Sequence, residues 1–287
     1  LYDSKKEPVK ISGYIDFSDF DHILTNMNII GQNIMIIDAK ETKHSEAYGK
    51  AYVNFYSMIQ GELESLKVRA RLEVLPSTNL CYILKDSPIT TDNRMKELVT
   101  FVDFNDKEVK SAALPTVDGM LLNINIVVME GAHVVCWLNT NHTNYVDIVG
   151  SGETRFIYKD SEMSLNGRYS ISHGEMKYSL PVIPLKTFTI SENSYVDFTG
   201  DIFNPRLNIT ATEQIKSTVS QDGVNKSVLF NCGVVLTKTL QDMGLQFIIS
   251  APEDQNINDD INTMSIEERG KVAVTMLTTG LYLSERN

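Results

Sequence analysis

In LKVRARLEVL, residues 66 to 75, Val68, Ala70, Leu72 and Val74 alternate with Lys67, Arg69, Arg71 and Glu73. Successive side chains of an extended strand point to opposite faces, so this segment has one apolar side and one charged side. LLNINIVV at 121 to 128 repeats the pattern with Leu122, Ile124, Ile126 and Val128 against Asn123 and Asn125. In LNGRYSISHGEMKYSL, 165 to 180, it runs through Leu165, Tyr169 and Ile171 and resumes at Met176, Tyr178 and Leu180. That break predicts a turn at His173-Gly174 between two strands. Further strands are predicted at AYVNFY (51–56), TRFIY (154–158), KTFTI (186–190), YVDFTG (195–200), RLNITA (206–211), SVLFNCGVVL (227–236) and LQFIIS (245–250). A chain of one-sided strands must bring its oily faces together or expose them, which predicts an all-β fold.

A looser rhythm ends in glycine: ISG at 11, AYG at 47, IQG at 59, IVG at 148, LNG at 165 and FTG at 198. It suggests one supersecondary unit stacked many times, each glycine leading into a new strand. Turns are expected at Gly150-Ser151-Gly152 and Asp222-Gly223 as well.

Two stretches depart from alternation and set the expected organisation: a β region over 1–258 and a tail over 259–287. Residues 86–119 are a candidate insertion or seam, with a short helix around Arg94 to Phe101. ISAPEDQNINDDIN reads as an acidic connector, and SIEERGKVAVTMLTTGLYL as a helix. Ser265 can cap its first turn while Glu268 reaches back, and Gly280 is a terminator. Ile266, Ala273, Leu277 and Leu281 then share one face, expected to pack on the chain's own sheet or to dock a partner.

A formal charge of -11 over 287 residues excludes broad attachment to nucleic acid or anionic headgroups, which would repel the chain at long range. No run approaches the roughly eighteen apolar residues of a membrane-spanning helix. Leu1-Tyr2-Asp3 has neither an initiator Met nor a signal-peptide pattern, so a piece of a longer chain is expected, its compartment specified elsewhere. Cys81, Cys136 and Cys232 are odd in number and set among apolar neighbours, as core residues would be.

Catalytic sets are not evident. The five histidines, His22, His44, His133, His142 and His173, lack metal-pair spacing, and GSGETR at 150 to 155 lacks the lysine and the helix of a phosphate loop. No cofactor or metal is expected. Asp197 and Asp201, flanking FTG, are the carboxylate pair that a glycosidase reading would use.

FTGDIFNPRLNITATE, 198 to 213, follows an FTI strand and SYVDFTG, and precedes an L-x-F-x-I strand at Leu245, Phe247 and Ile249 and the closing helix. This order resembles the C-terminal domain of the TamB family, most clearly over residues 145 to 285. The resemblance implies an elongated, curled, antiparallel groove (β-taco-like) with an apolar interior and a C-terminal helix. It implies a periplasmic protein, anchored in the inner membrane by an N-terminal segment absent from this chain, without catalytic residues. The implied partners are phospholipid acyl chains in transit between the two membranes, a BamA-like outer-membrane protein called TamA, and nascent outer-membrane β-barrels. Strand parity assigns the lining: Val146, Ile148, Phe156, Tyr158, Leu165, Tyr169, Ile171, Met176, Tyr178, Leu180, Phe188, Ile190, Val196, Phe198, Leu207, Ile209, Phe230, Val234, Phe247 and Ile249. Each methylene sheltered in such a trough gains about 0.8 kcal/mol, so tails could slide while headgroups stay wet. Two alternatives stay open: an assembly platform that adds outer-membrane strands to its sheet edge, and a glycan-active or structural β-solenoid.

Overall fold

The computed structural model describes residues 8–43, 45, 47–83, 119–180, 183–221 and 223–283. The expected helix at Arg94 to Phe101, and the candidate seam as far as residue 118, lie outside the described residues. Among the described residues thirteen strands form one sheet. They are β1 Val9–Asp16, β2 Leu24–Ala39, β3 Ala47–Glu62, β4 Lys67–Val74, β5 Asn79–Ile83, β6 Leu121–Trp137, β7 Tyr145–Lys159, β8 Glu162–Leu180, β9 Ile183–Ile190, β10 Tyr195–Gly200, β11 Arg206–Gln221, β12 Val224–Lys238 and β13 Met243–Ser250. Two helices follow, α1 Gln255–Thr263 and α2 Ile266–Thr279.

Hydrogen-bonded neighbours in the sheet run antiparallel, with one exception. β6 lies parallel to both β4 and β5, making the sheet mixed rather than wholly antiparallel. β4 and β5 share a single lane between β3 and β6, and β9 and β10 share one between β8 and β11. Each shared lane is broken by a few residues, and one buried hydroxyl repairs each break. Thr78 Oγ1 accepts from Tyr52 N–H (3.0 Å) and donates to Tyr52 C=O (3.2 Å). Ser194 Oγ accepts from Thr210 N–H (3.0 Å) and donates to Thr210 C=O (3.4 Å). Each replaces a missing ladder residue with its own donor and acceptor.

The glycines do not begin strands as the rhythm suggested. Gly150 and Gly152 lie inside β7, and His173-Gly174 lies inside a single nineteen-residue β8, so neither site is a turn. β8 instead carries a bulge: Ile171 pairs with Gly150 and His173 with Val149, leaving Ser172 as the extra residue, its hydroxyl donating to Val149 C=O. One extra residue shifts the alternation by one, so the odd-numbered apolar residues before it and the even-numbered ones after it face the same side. Gly167 has φ +139°, and a Cβ there would come within 2.2 Å of Glu153 C=O across the ladder, an approach only glycine permits. Gly223 lies between β11 and β12 at φ +76°, as a hairpin glycine should.

At the FTG-DIF-NPR corner, Asn204 Oδ1 accepts from Gln241 N–H (2.9 Å) and Pro205 C=O accepts from Leu240 N–H (2.9 Å). The motif thereby fastens the β12–β13 connection to the start of β11.

α2 forms as expected. Ser265 and Glu268 complete a reciprocal capping box, and Gly280 closes the helix in the left-handed region. The acidic stretch before it is not a plain connector but contains α1, capped by Asp254, with Ile257 and Ile261 one turn apart and buried. Both helices pack on β13, and α2 reaches β12 and β9. The main core lies beneath them, with Phe188, Phe230, Cys232, Val234, Met276 and Leu277 essentially inaccessible.

Candidate functional site

Register carries one apolar face across the whole sheet. A row on the β1 side runs Ile11, Ile29, Ser57, Ala70, Ile124, Phe156, Leu165 from β1 to β8. A second row runs Leu80, Val134, Ile148, Gly174, Ile190, Ala211, Val234, Phe247 from β5 to β13. The bulges keep the phase. In β2 and β8 single extra residues return the alternation to the face, and in β6 two extra residues leave its phase unchanged.

The two rows are displaced along the strands, because β11 to β13 are shifted toward one end of the strands relative to β1 to β4. The face therefore runs obliquely across the sheet.

Of the residues assigned to the lining, Tyr158, Ile171, Met176, Tyr178, Phe188, Ile190, Ile209, Phe230, Val234 and Ile249 are buried. Val146, Ile148, Tyr169, Val196, Leu207 and Phe247 are half-buried against the same core. Phe156, Leu165 and Phe198 are half-buried, and Leu180 ends β8 opposite Ile183. Of the helix residues, Ala273 and Leu277 are buried on the sheet, whereas Ile266 and Leu281 are exposed. The buried stripe of α2 is Val272, Ala273, Met276 and Leu277, and the left-handed Gly280 takes Leu281 off the helical path.

The β1-side half of the face did not figure in that assignment, although LKVRARLEVL and LLNINIVV carried its parity. Val68, Ala70, Leu72, Ile124 and Ile126 are only half-buried, and Ile11 and Ile15 are exposed.

Ion pairs interrupt the apolar face, and Lys226 of β12, in register with the buried Val219, lies 2.8 Å from Asp254. Glu213 pairs in register with the buried Cys232, and its carboxylate lies 3.2 Å from Lys186 Nζ. Burial pushes the Cys136 and Cys232 thiols up to about 12, so both stay protonated.

The polar side of the sheet holds the groups considered for chemistry. Asp197 is bound through both carboxylate oxygens by Arg168, at 2.6 and 2.8 Å, and that guanidinium lies over the Tyr195 ring. Asp201 accepts from Phe203 N–H in the corner loop. The two acids therefore have separate structural partners and do not face each other across a cleft. His133 and Asp147 pair at 2.5 Å, His142 stacks on Trp137, and Trp137 Nε1 donates to Tyr48 Oη. Among the described residues there is no group of three or more His, Cys, Asp or Glu that could hold a metal ion. No helix among them is long and apolar enough to cross a membrane.

A family model described as the TamB C-terminal domain matches residues 2–284. No curated protein matches the chain.

Proposed function

Because the chain belongs to the TamB C-terminal domain family, we propose that its apolar face shelters phospholipid acyl chains on their way between two membranes. The supporting observation is the continuity of that face over successive strands, together with its incomplete covering on the β1 side. A half-exposed leucine or isoleucine forgoes part of the roughly 1.5–3 kcal/mol that full burial would give, and a hydrocarbon tail laid along the face recovers it. Headgroups need no site within the face, since they remain at the strand ends in water. On this reading the chain works in the periplasm, as part of a protein anchored in the inner membrane, beside a TamA-like outer-membrane partner.

The test is lipid retention. Leu72→Asp places a charge on the open part of the face, whereas Arg69→Glu changes only the outer side of the same strand. Native mass spectrometry of the folded proteins should show copurifying phospholipid with the wild type and Arg69→Glu, and little with Leu72→Asp. Equal retention by both variants, or none by the wild type, refutes the reading.

A second reading draws on β1, which among the described residues pairs on one side only and is exposed along most of its length. An unfolded outer-membrane strand could extend the sheet there by main-chain hydrogen bonds. A photo-crosslinker at Tyr14 that captured such a strand, with no lipid bound to the protein, would favour it.

A further inference from the structure

The apolar face is closed at one end. On β9, β12 and β13, Phe188, Ile190, Phe230, Val234 and Ile249 are at most 6% exposed. Ile257 and Ile261 of α1 and Met276 and Leu277 of α2 fill the space above them. Tyr282 stacks on Phe230 with ring centroids 4.8 Å apart, and its N–H donates to Ser217 Oγ of β11. The side chains packed between β9, β12 and the two helices leave no room for a tail there without being displaced, and the cleft of about 560 Å³ between β13 and α2, lined by Leu245, Phe247, Ile266 and Val274, lies at the outer edge strand. Toward β1 the same face meets solvent, Ile11 at 48% and Ile15 at 43% exposure.

β1, β3 and β10 end at one rim, where the connections 17–23, 63–66 and 201–205 leave Phe17, Phe20, Leu63 and Phe203 between 53% and 80% exposed. At the opposite rim the β6–β7 connection is polar, its Leu138 is buried, and the Trp137 ring is already engaged by His142 and Tyr145, while Val224 and Tyr82 there are 66% and 43% exposed. Exposed apolar side chains gathered along one border mark a surface that meets something apolar.

We infer that the trough is blind at its β9–β13 end, and that acyl tails pass between trough and bilayer sideways, over the rim carrying Phe17, Phe20, Leu63 and Phe203. This inference rests on the acyl-chain reading. α1 and α2 form the end wall, and the phenylalanine and leucine side chains on the rim give a tail an apolar step out of the face, while headgroups travel outside the strand ends.

The test places a diazirine analogue of leucine, which is close to isosteric, at one position at a time in the whole chain. The positions are Leu72 on the open face, Leu63 on the rim and Leu277 in the end wall. The protein is incubated with vesicles of phosphatidylethanolamine containing a minor fraction of phosphatidylglycerol, irradiated, and analysed for lipid adducts, with circular dichroism confirming that each variant is folded. Adducts are expected at Leu72 and Leu63, with loss to background at Leu277. Adducts at Leu277 matching those at Leu72 overturn the blind end and leave the acyl-chain reading standing. Adducts at Leu72 without any at Leu63 overturn the sideways path over this rim. Adducts at no position refute the acyl-chain reading, and the inference falls with it.

Discussion

Thr78 and Ser194 occupy equivalent places four lanes apart in the sheet, each a buried hydroxyl bonded to both main-chain groups of one residue on the next strand. Replacing Thr78 with Val keeps the shape and removes the acceptor of the Tyr52 N–H. The cost should be about 1–3 kcal/mol, read as a lower midpoint in urea, whereas Ser77→Ala at the exposed neighbouring position should be neutral. Nothing in the sequence marked these two residues, because a hydroxyl in a short loop looks the same whether it meets water or a strand. Apolar neighbours predicted burial for all three cysteines, and only Cys232 is fully buried, whereas Cys81 and Cys136 are half-buried. Maleimide at neutral pH should modify Cys81 first in the folded protein, because Cys232 is buried and the half-buried Cys136, like Cys232, is held as a thiol. Rapid labelling of two or three thiols without denaturant would contradict this.

β8 shows what an element's own sequence can and cannot disclose. Its alternation changes phase between Ile171 and Met176, and a turn or a bulge would produce the same local pattern; the pairing with β7 decides for the bulge. Deleting Ser172 should therefore be far worse than its surface location suggests. The deletion would drive Met176 and Tyr178 to the outer face, or else break the pairing with β9. Loss of the cooperative unfolding transition is expected, while Ser172→Ala should retain it; a cooperatively folded deletion variant would disprove the phase-keeping role. α2 was legible because its cap, its terminator and its apolar stripe are all local. α1 was missed because only Ile257 and Ile261 mark it among acidic and amide residues, too few to stand out as a period.

At the scale of the molecule, the single sheet and its apolar face followed from alternation repeated over most of the chain. The parallel junction did not, because β5 and β6 are far apart in sequence and no local pattern records their relative direction. Nor did the division of the face into a covered part under α1 and α2 and an uncovered part toward β1, which depends on where the helices come to rest. That division has a calorimetric consequence. A face already wet in the native state gains little new hydration when the chain melts, so the heat capacity increment should fall below the usual figure of about 12–15 cal/mol/K per residue. Scanning calorimetry at several pH values would measure it, and a full increment would mean that water is kept off the β1 side in solution.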